Sequence, residues 1–314
     1  MPPLVSIVTP AYNSSAFIGE TIAAALAQTC TDFELIVVDD GSTDNTIDVV
    51  HAAAKGDPRV IVMRSPHGGQ AVARNAAFDE ARGRFFALLD SDDVWMPKYL
   101  EEQLALLERF PERAIVTANA INRGGPLDSR PLWPSTSGWR ELSVRDLIQE
   151  EDAVCIMAVF RRAVVDRVGG FDPNFTGNED YEFWIRCANA GFGILQNRRP
   201  LGFYRRRDGS VSADDIRMIT GIMSVLGAAG CMSGPLEHEH DAIQRQLRRL
   251  QQELVKAQMR SSLAKQDGAT AARGLKTLSE LRGSWSLAMA ARLTMACPSL
   301  LLRAYDLRRS LRAG

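Results

Sequence analysis

The sequence predicts an α/β fold: a mostly parallel central sheet flanked by helices, followed by an α-helical C-terminal extension. Three observations carry that prediction. Over the first ninety residues, short β-branched runs alternate with helix-period stretches, the pattern of a parallel sheet with helical crossovers. The first, second and fourth runs stop abruptly in turn-forming or acidic residues. From about Ser212 the strand signals vanish and helical periodicity takes over.

The elements follow in order. Leu4–Thr9 is short, apolar and β-branched, and predicts a buried strand. Phe17 to about Gln28 predicts a helix with Ile18, Ile22, Ala25 and Leu26 on one face. Glu34–Val38 is the second strand, and a helix through Val50 and Ala54 follows the turn DDGSTDNT. Val60–Met63 is the third strand, Gly69–Arg82 a helix, and Arg84–Leu89 the fourth strand. Pro97–Phe110 is amphipathic, with proline in its first turn, where the missing N–H costs nothing. Ile115–Ala118 predicts a further strand, and residues 121–140, rich in Gly, Pro, Ser and Trp, an irregular loop. Val154–Phe160 predicts a strand and Arg161–Val168 a short helix closed by Gly169-Gly170. YEFWIRCANAG predicts a helix with Tyr181, Trp184, Ile185 and Ala188 inward and Gly191 as its stop. Ile243, Leu247, Leu250 and Leu254 form a short apolar seam, which suits a brief coiled coil or a helix docked on the body.

Apolar residues make up 46% of the 314 and charged residues 24%, which is ordinary for a globular chain of this length. The formal net charge of −1 gives no case for nucleic-acid binding. The charge is unevenly spread: residues 1–210 carry a net −7 and residues 211–314 a net +6. Five cysteines without a C-x-x-C pair suit a reducing compartment, with neither a disulfide framework nor a zinc site. The N-terminus predicts no signal peptide, and the longest apolar runs predict no transmembrane helix.

The run FFALLDSDDVW raises the chemical question. A buried strand ends in Asp90, Asp92 and Asp93, and clustered carboxylates repel unless positive charge sits among them. A hard divalent cation, Mn²⁺ or Mg²⁺, would resolve this, because such ions take oxygen ligands and share their coordination with phosphates. A solvated acidic turn is the simpler alternative. Ligands in parallel sheets bind beyond the carboxyl ends of the strands, which puts Thr9-Pro10, Asp39-Asp40 and Asp90–Asp93 on one rim.

Five blocks in order resemble the bacterial family 2 glycosyltransferases of GT-A fold, from Val5 to about Ser212. They are VSIVTPAYN, QTCTDFELIVVDDGSTDNT, HGGQAVARNAAFDEARGRFFALLDSDDVW, FRRAVVDRVGGFDPNFTGNEDYEFWIRCANAG and FYRRRDGSVS. The resemblance implies a Rossmann-like catalytic domain over 1–211, with a nucleotide-binding half at 1–118 and an acceptor-binding half at 119–211. Residues 212–314 would be a helical region that associates with a membrane or a partner. It implies an inverting, metal-dependent transfer of sugar from a nucleotide-diphosphate sugar to a hydroxyl of a glycan or lipid-linked acceptor. Thr9, Pro10, Tyr12 and Asp40 would hold the nucleotide base, Arg74 the nucleotide or diphosphate, and Asp90 the ribose. Asp92 would be the main metal ligand, with Asp93 near the ion. Asp180 would be the general base, with Glu179 beside it. The departure is at Arg205, Arg206 and Arg207, where relatives often carry histidine. That basic patch suits a diphosphate contact, a lid or a solvated cluster.

Two motifs are set aside. His238-Glu239-His240 has neither the spacing nor a third ligand for a metal, and HGGQAVARN lacks the G-x-G-x-x-G of a dinucleotide site. Residues 285–304 are apolar but interrupted by Arg292 and Pro298, with Arg303, Arg308, Arg309 and Arg312 after or near their end. They suit an interfacial segment on an anionic membrane, or helices packed on the body. The expected location is cytoplasmic, peripheral on the inner face of the membrane, and the 236–257 helix offers a surface for a second copy. The rival reading of the whole chain is a non-catalytic nucleotide-sugar binder or scaffold of the same fold.

Overall fold

The structure, a computed structural model, describes residues 1–206 and 214–305. Its first half follows the expected alternation: β1 (Val5–Ala11), α1 (Ile18–Leu26), β2 (Phe33–Asp39), α2 (Thr46–Ala54), β3 (Val60–Arg64), α3 (Gln70–Glu80) and β4 (Phe85–Leu88). β1, β2 and β4 are buried at every position, so they read as largely apolar runs rather than alternating ones. β3–β2, β2–β1 and β1–β4 are all parallel pairs. The chain steps outward from β1 to β3, then returns past β1 to β4. Right-handed crossovers put α1 and α2, which touch, on one face and α3 on the other. That reversal opens a crevice beyond the carboxyl ends of β1 and β4.

The next elements are β5 (Val94–Trp95), α4 (Tyr99–Arg109), β6 (Arg113–Arg123), β7 (Trp139–Leu142), α5 (Val144–Gln149), β8 (Ala158–Arg161), α6 (Arg162–Val168), α7 (Glu179–Asn189) and β9 (Gly193–Arg205). The sheet runs β3-β2-β1-β4-β8-β6-β9-β5, with β7 also on β9. β8 is antiparallel to both β4 and β6, whereas β6 and β9 are parallel. The sheet is therefore uniformly parallel only in its first four strands.

The sequence reading missed β5, β7 and β9, and found only part of β6. β9 reads GILQNRRPLGFYR, and its arginines and Pro200 mask any strand period. Pro200 pairs with Asn119 where the register shifts on both sides, as expected of a residue with no N–H for the ladder. Val154–Met157, expected as strand, is buried but irregular, and β8 starts at Ala158.

The C-terminal region comprises α8 (Asp215–Ala229), a 3₁₀ turn (Pro235–Glu239), α9 (His240–Ala264), α10 (Gly268–Arg282) and α11 (Trp285–Ala296). A last helical segment covers Ser299–Tyr305. α8 packs on α7, and α9 packs on α8 and α5. Val225, Leu226, Ile243 and Leu250 belong to the same apolar core as the sheet. Of the expected seam, Ile243, Leu247 and Leu250 thus pack within the chain, whereas Leu254 is half-buried and outside that core. No single helix among the described residues is long and apolar enough to cross a membrane.

Candidate active site

One cleft of about 560 Å³ lies over the crevice. Pro10 to Tyr12, Asp40, Arg74, Asp90, Asp92, Glu179 and Asp180 all line it. These residues come from three strand ends and the starts of two helices.

At one end, β1 delivers Pro10, Ala11 and Tyr12, and β2 delivers Asp40. The buried Asp40 carboxylate accepts the Gly68 amide on Oδ1 at 2.8 Å and the Gly69 amide on Oδ2 at 2.9 Å. Gly69 sits at φ +88°, a conformation that favours glycine, immediately before α3. His67 Nδ1 lies 2.9 Å from Asp40 Oδ2, and its ring stacks on Tyr12 with centroids 4.2 Å apart. The Tyr12 ring is 43% exposed. The result is an aromatic platform beside an anchored carboxylate. Sequence reasoning missed His67, whose only signal was its place before Gly68-Gly69. Thr9 departs from expectation: it is fully buried in β1 and does not line the cleft. Successive strand residues point to opposite faces, so Thr9 and Pro10 do not present their side chains to one ligand.

The loop after β4 carries the acidic cluster. Asp90, Ser91 and Asp92 line the cleft; Asp93 does not. Asp93 is buried, and its Oδ1 accepts the Arg205 amide at 2.9 Å. Burial, and then the charges of Asp92 and Asp90, push its carboxyl well above the usual range. Its placement is that of a brace under the loop, unlike the metal-side position expected for it. Arg205 completes the brace: Nε donates to the Asp92 carbonyl at 2.8 Å and Nη2 to Glu20 Oε2 at 2.7 Å, with the guanidinium over Phe17. Arg206 donates to Asn122 Oδ1, and Arg207 lies outside the described residues. Asp90 and Asp92 present hard oxygen donors to the cleft. Among the described residues no three acidic, histidine or cysteine groups converge on a point. This donor set fits a cation that takes one or two carboxylates and completes its shell with phosphate and water.

The other end is the start of α7. Glu179 is buried, with Oε1 receiving Arg74 Nη1 at 2.9 Å and Oε2 the Gly177 amide at 2.7 Å. Arg74, only 1% exposed, gives its other Nη to Asp90 Oδ1 at 2.7 Å. Its guanidinium therefore ties the loop after β4 to α7, rather than standing open to a ligand. Asn75 reinforces the tie, exchanging two bonds of 2.8 Å with the Phe171 backbone. A Cβ on Gly170 would lie 2.2 Å from Asn75 Oδ1, which accounts for the glycine there.

Asp180 is half-buried, and its Oδ1 accepts the Tyr181 amide at 2.8 Å. Burial, and then the Glu179 charge, push its carboxyl up to about 7 against the pull of Arg74. A base poised near neutral pH, facing a cleft, matches what proton abstraction requires. Glu179, expected beside it, is placed to hold Arg74. Arg217 and Met218 of α8 also line the cleft. Sequence reasoning missed them, because α8 carries no motif.

The family model described as Glycosyl transferase family 2 matches residues 6–169. TuaG of Bacillus subtilis (strain 168), named as a teichuronic acid biosynthesis glycosyltransferase, is 32% identical over 215 residues, 68% of this chain and 82% of its own. The UDP-Glc:alpha-D-GlcNAc-diphosphoundecaprenol beta-1,3-glucosyltransferase WfaP of Escherichia coli is 29% identical over 234 residues, 72% of this chain and 87% of its own. Among solved structures, the mannosyltransferase PcManGT from Pyrobaculum calidifontis, in complex with GDP-Man and Mn²⁺, matches with a TM-score of 0.64 at 20% identity. That match covers 100% of this chain and 85% of the other.

Proposed function

The chain belongs to glycosyl transferase family 2, and from that premise we propose that it moves a sugar from a nucleotide-diphosphate donor to a hydroxyl of a glycan or lipid-linked acceptor in bacterial polysaccharide or cell-envelope synthesis. One observation carries the reading: Tyr12 and Asp40, Asp90 and Asp92, and Asp180 share a single cleft. WfaP supports the choice of acceptor class, since its name gives a diphosphoundecaprenol-linked acceptor.

Tyr12 offers the base a stacking face. Asp40 Oδ2 already faces the Gly69 amide and His67 Nδ1, whereas Oδ1 takes only the Gly68 amide and keeps a second lone pair, enough to accept an imide N–H. Asp90 faces the ribose. Asp92, with Asp90 beside it, would hold Mn²⁺ or Mg²⁺, which supplies Lewis-acid charge to the diphosphate leaving group. Asp180 accepts the proton of the acceptor hydroxyl as that oxygen bonds to the anomeric carbon. The bond from that carbon to the diphosphate breaks, its electron pair leaves with the diphosphate, and a single displacement inverts the centre. A lipid-linked acceptor would put this reaction at the inner face of the cytoplasmic membrane.

The test is a panel of UDP- and GDP-sugars with and without Mn²⁺, read by thermal shift and by transfer to acceptor. A donor at a hundredfold excess over Kd adds about 2.7 kcal/mol of stability. The reading expects Asp180→Asn to keep that shift and lose transfer. Stabilisation by a donor without turnover of any acceptor by the unaltered protein would instead mark a binder.

A further inference from the structure

α11 turns its large apolar residues outward, the wrong way round for a helix of a self-contained body. Its inward face is built of small residues: Ala291 is 2% exposed and Thr294 8%. Its outward face is built of large ones, with Trp285 77%, Leu293 61% and Met289 38% exposed. At 3.6 residues per turn, Arg292, Trp285, Ala296, Met289 and Leu293 fall within an arc of about 100°. The stripe is therefore continuous, and it includes a cation. Leu300, in the segment after α11, is 47% exposed, and Arg303 is exposed one turn further on. No acidic residue occurs from 285 to 305.

The patch is fixed by packing. α11 lies against α10, and Gly268 at the start of α10 approaches the turn after α11. A Cβ on Gly268 would stand 2.7 Å from the Pro298 carbonyl oxygen. The two helical limbs are bent 111° apart. At 1.5 Å per residue α11 is about 18 Å long, well short of the roughly 30 Å of a hydrocarbon core. Such a helix lies in a bilayer surface rather than across the bilayer.

We infer that the outward face of α11, continued by Leu300 and Arg303, is a docking surface for an anionic lipid bilayer. Charge decides between occupants. A second copy would bring Arg292 and Arg303 against their own kind, whereas anionic headgroups satisfy them while Trp285, Met289 and Leu293 enter the acyl boundary. Tryptophan at the edge of such a helix also suits the interfacial zone. The inference rests on α11 and the segment after it and does not require the transfer reaction. It would bring the cleft to the phase that holds a lipid-linked acceptor.

The test is flotation of the full chain with phosphatidylcholine vesicles, with or without phosphatidylglycerol. The unaltered protein should float with the anionic vesicles and at least about fivefold less with neutral ones, the worth of one basic residue near a charged surface. The double variant Trp285→Ser, Leu293→Ser should lose most of the binding, and Arg292→Glu should lose the preference for anionic lipid. All these positions are exposed, so unchanged circular dichroism serves as the folding control. Asp180→Asn should float like the unaltered protein, which separates failure of docking from failure of the transfer reading. The inference is overturned if the unaltered protein stays with the soluble fraction, or if the double variant floats equally well. Concentration-dependent dimerisation that the double variant abolishes, without any vesicle binding, would assign the face to a second copy instead.

Discussion

The loop at Asp92-Asp93 and the start of α7 at Glu179-Asp180 solve one problem in two ways. Each sets two carboxylates side by side and buries one as a brace; Asp93 lies off the cleft that Asp92 faces, whereas Glu179 lines it next to Asp180. At the loop the brace hangs on the backbone: Asp93 accepts an amide from Arg205, and among the described residues its Oδ2 has no hydrogen-bond partner. At α7 the brace is ionic: Glu179 holds a buried guanidinium that also grips Asp90. Burial, with the charges of Asp92 and Asp90, raises the Asp93 carboxyl well above its usual range, which favours its uncharged form and limits repulsion in the loop. The ionic brace feeds two opposed fields to Asp180, one from Glu179 and one from Arg74. The first region is built to concentrate oxygen donors, the second to tune a single carboxyl.

Substitutions can break this comparison. The largest effect belongs to the residue that faces the cleft at α7. Asp180→Asn should cut kcat by about 10²–10⁴-fold, the usual worth of a positioned base, with donor affinity unchanged in isothermal titration. Next is the ionic brace. Arg74→Met strands Glu179 and Asp90 without their counter-charge and should destabilise the fold by about 3–5 kcal/mol, read by urea denaturation. Gly170→Ala forces a methyl group against Asn75 and should cost about 1–3 kcal/mol. The backbone-bonded brace should matter less. Asp93→Asn can still accept the Arg205 amide and should stay within about 1 kcal/mol of the parent, with the Mn²⁺ dependence of transfer unchanged; Asp92→Asn should raise the Mn²⁺ concentration required.

The pH profile sharpens the same contrast. Asp180 works ionised and its carboxyl sits at about 7, so kcat/KM should fall as pH drops below 7 and level off above it. Glu179 raises the Asp180 value, so Glu179→Gln should move that limb to lower pH. A limb that stays in place would remove Glu179 from the tuning of the base.

Much of the first half of the sheet was legible because buried parallel strands announce themselves as apolar runs, and their ends fall at Asp40 and Asp90. The cleft residues Tyr12, Asp40, Asp92 and Asp180 were all named from sequence, and the structure brings them together. Their roles are another matter, because motif proximity does not say which of two adjacent carboxylates points outward. Asp93 was expected near the ion and Glu179 beside the base, and only the positions of Arg205 and Arg74 show them as braces. Arg205 itself is set by β9, a strand whose arginines and proline hide its period, so its hold on the loop was illegible. α11 was legible as apolar and basic; which of its faces looks outward depends on α10, far from any motif.

Arg217 and Met218 give the cleft a wall from α8, whereas the stretch that matches the family model ends at residue 169. The family-defining segment thus stops short of both Asp180 and this wall. A foreign sequence grafted after that point would take away Glu179, which holds Arg74, and Arg205, which braces the loop after β4, so the two banks of the cleft cannot be exchanged one at a time.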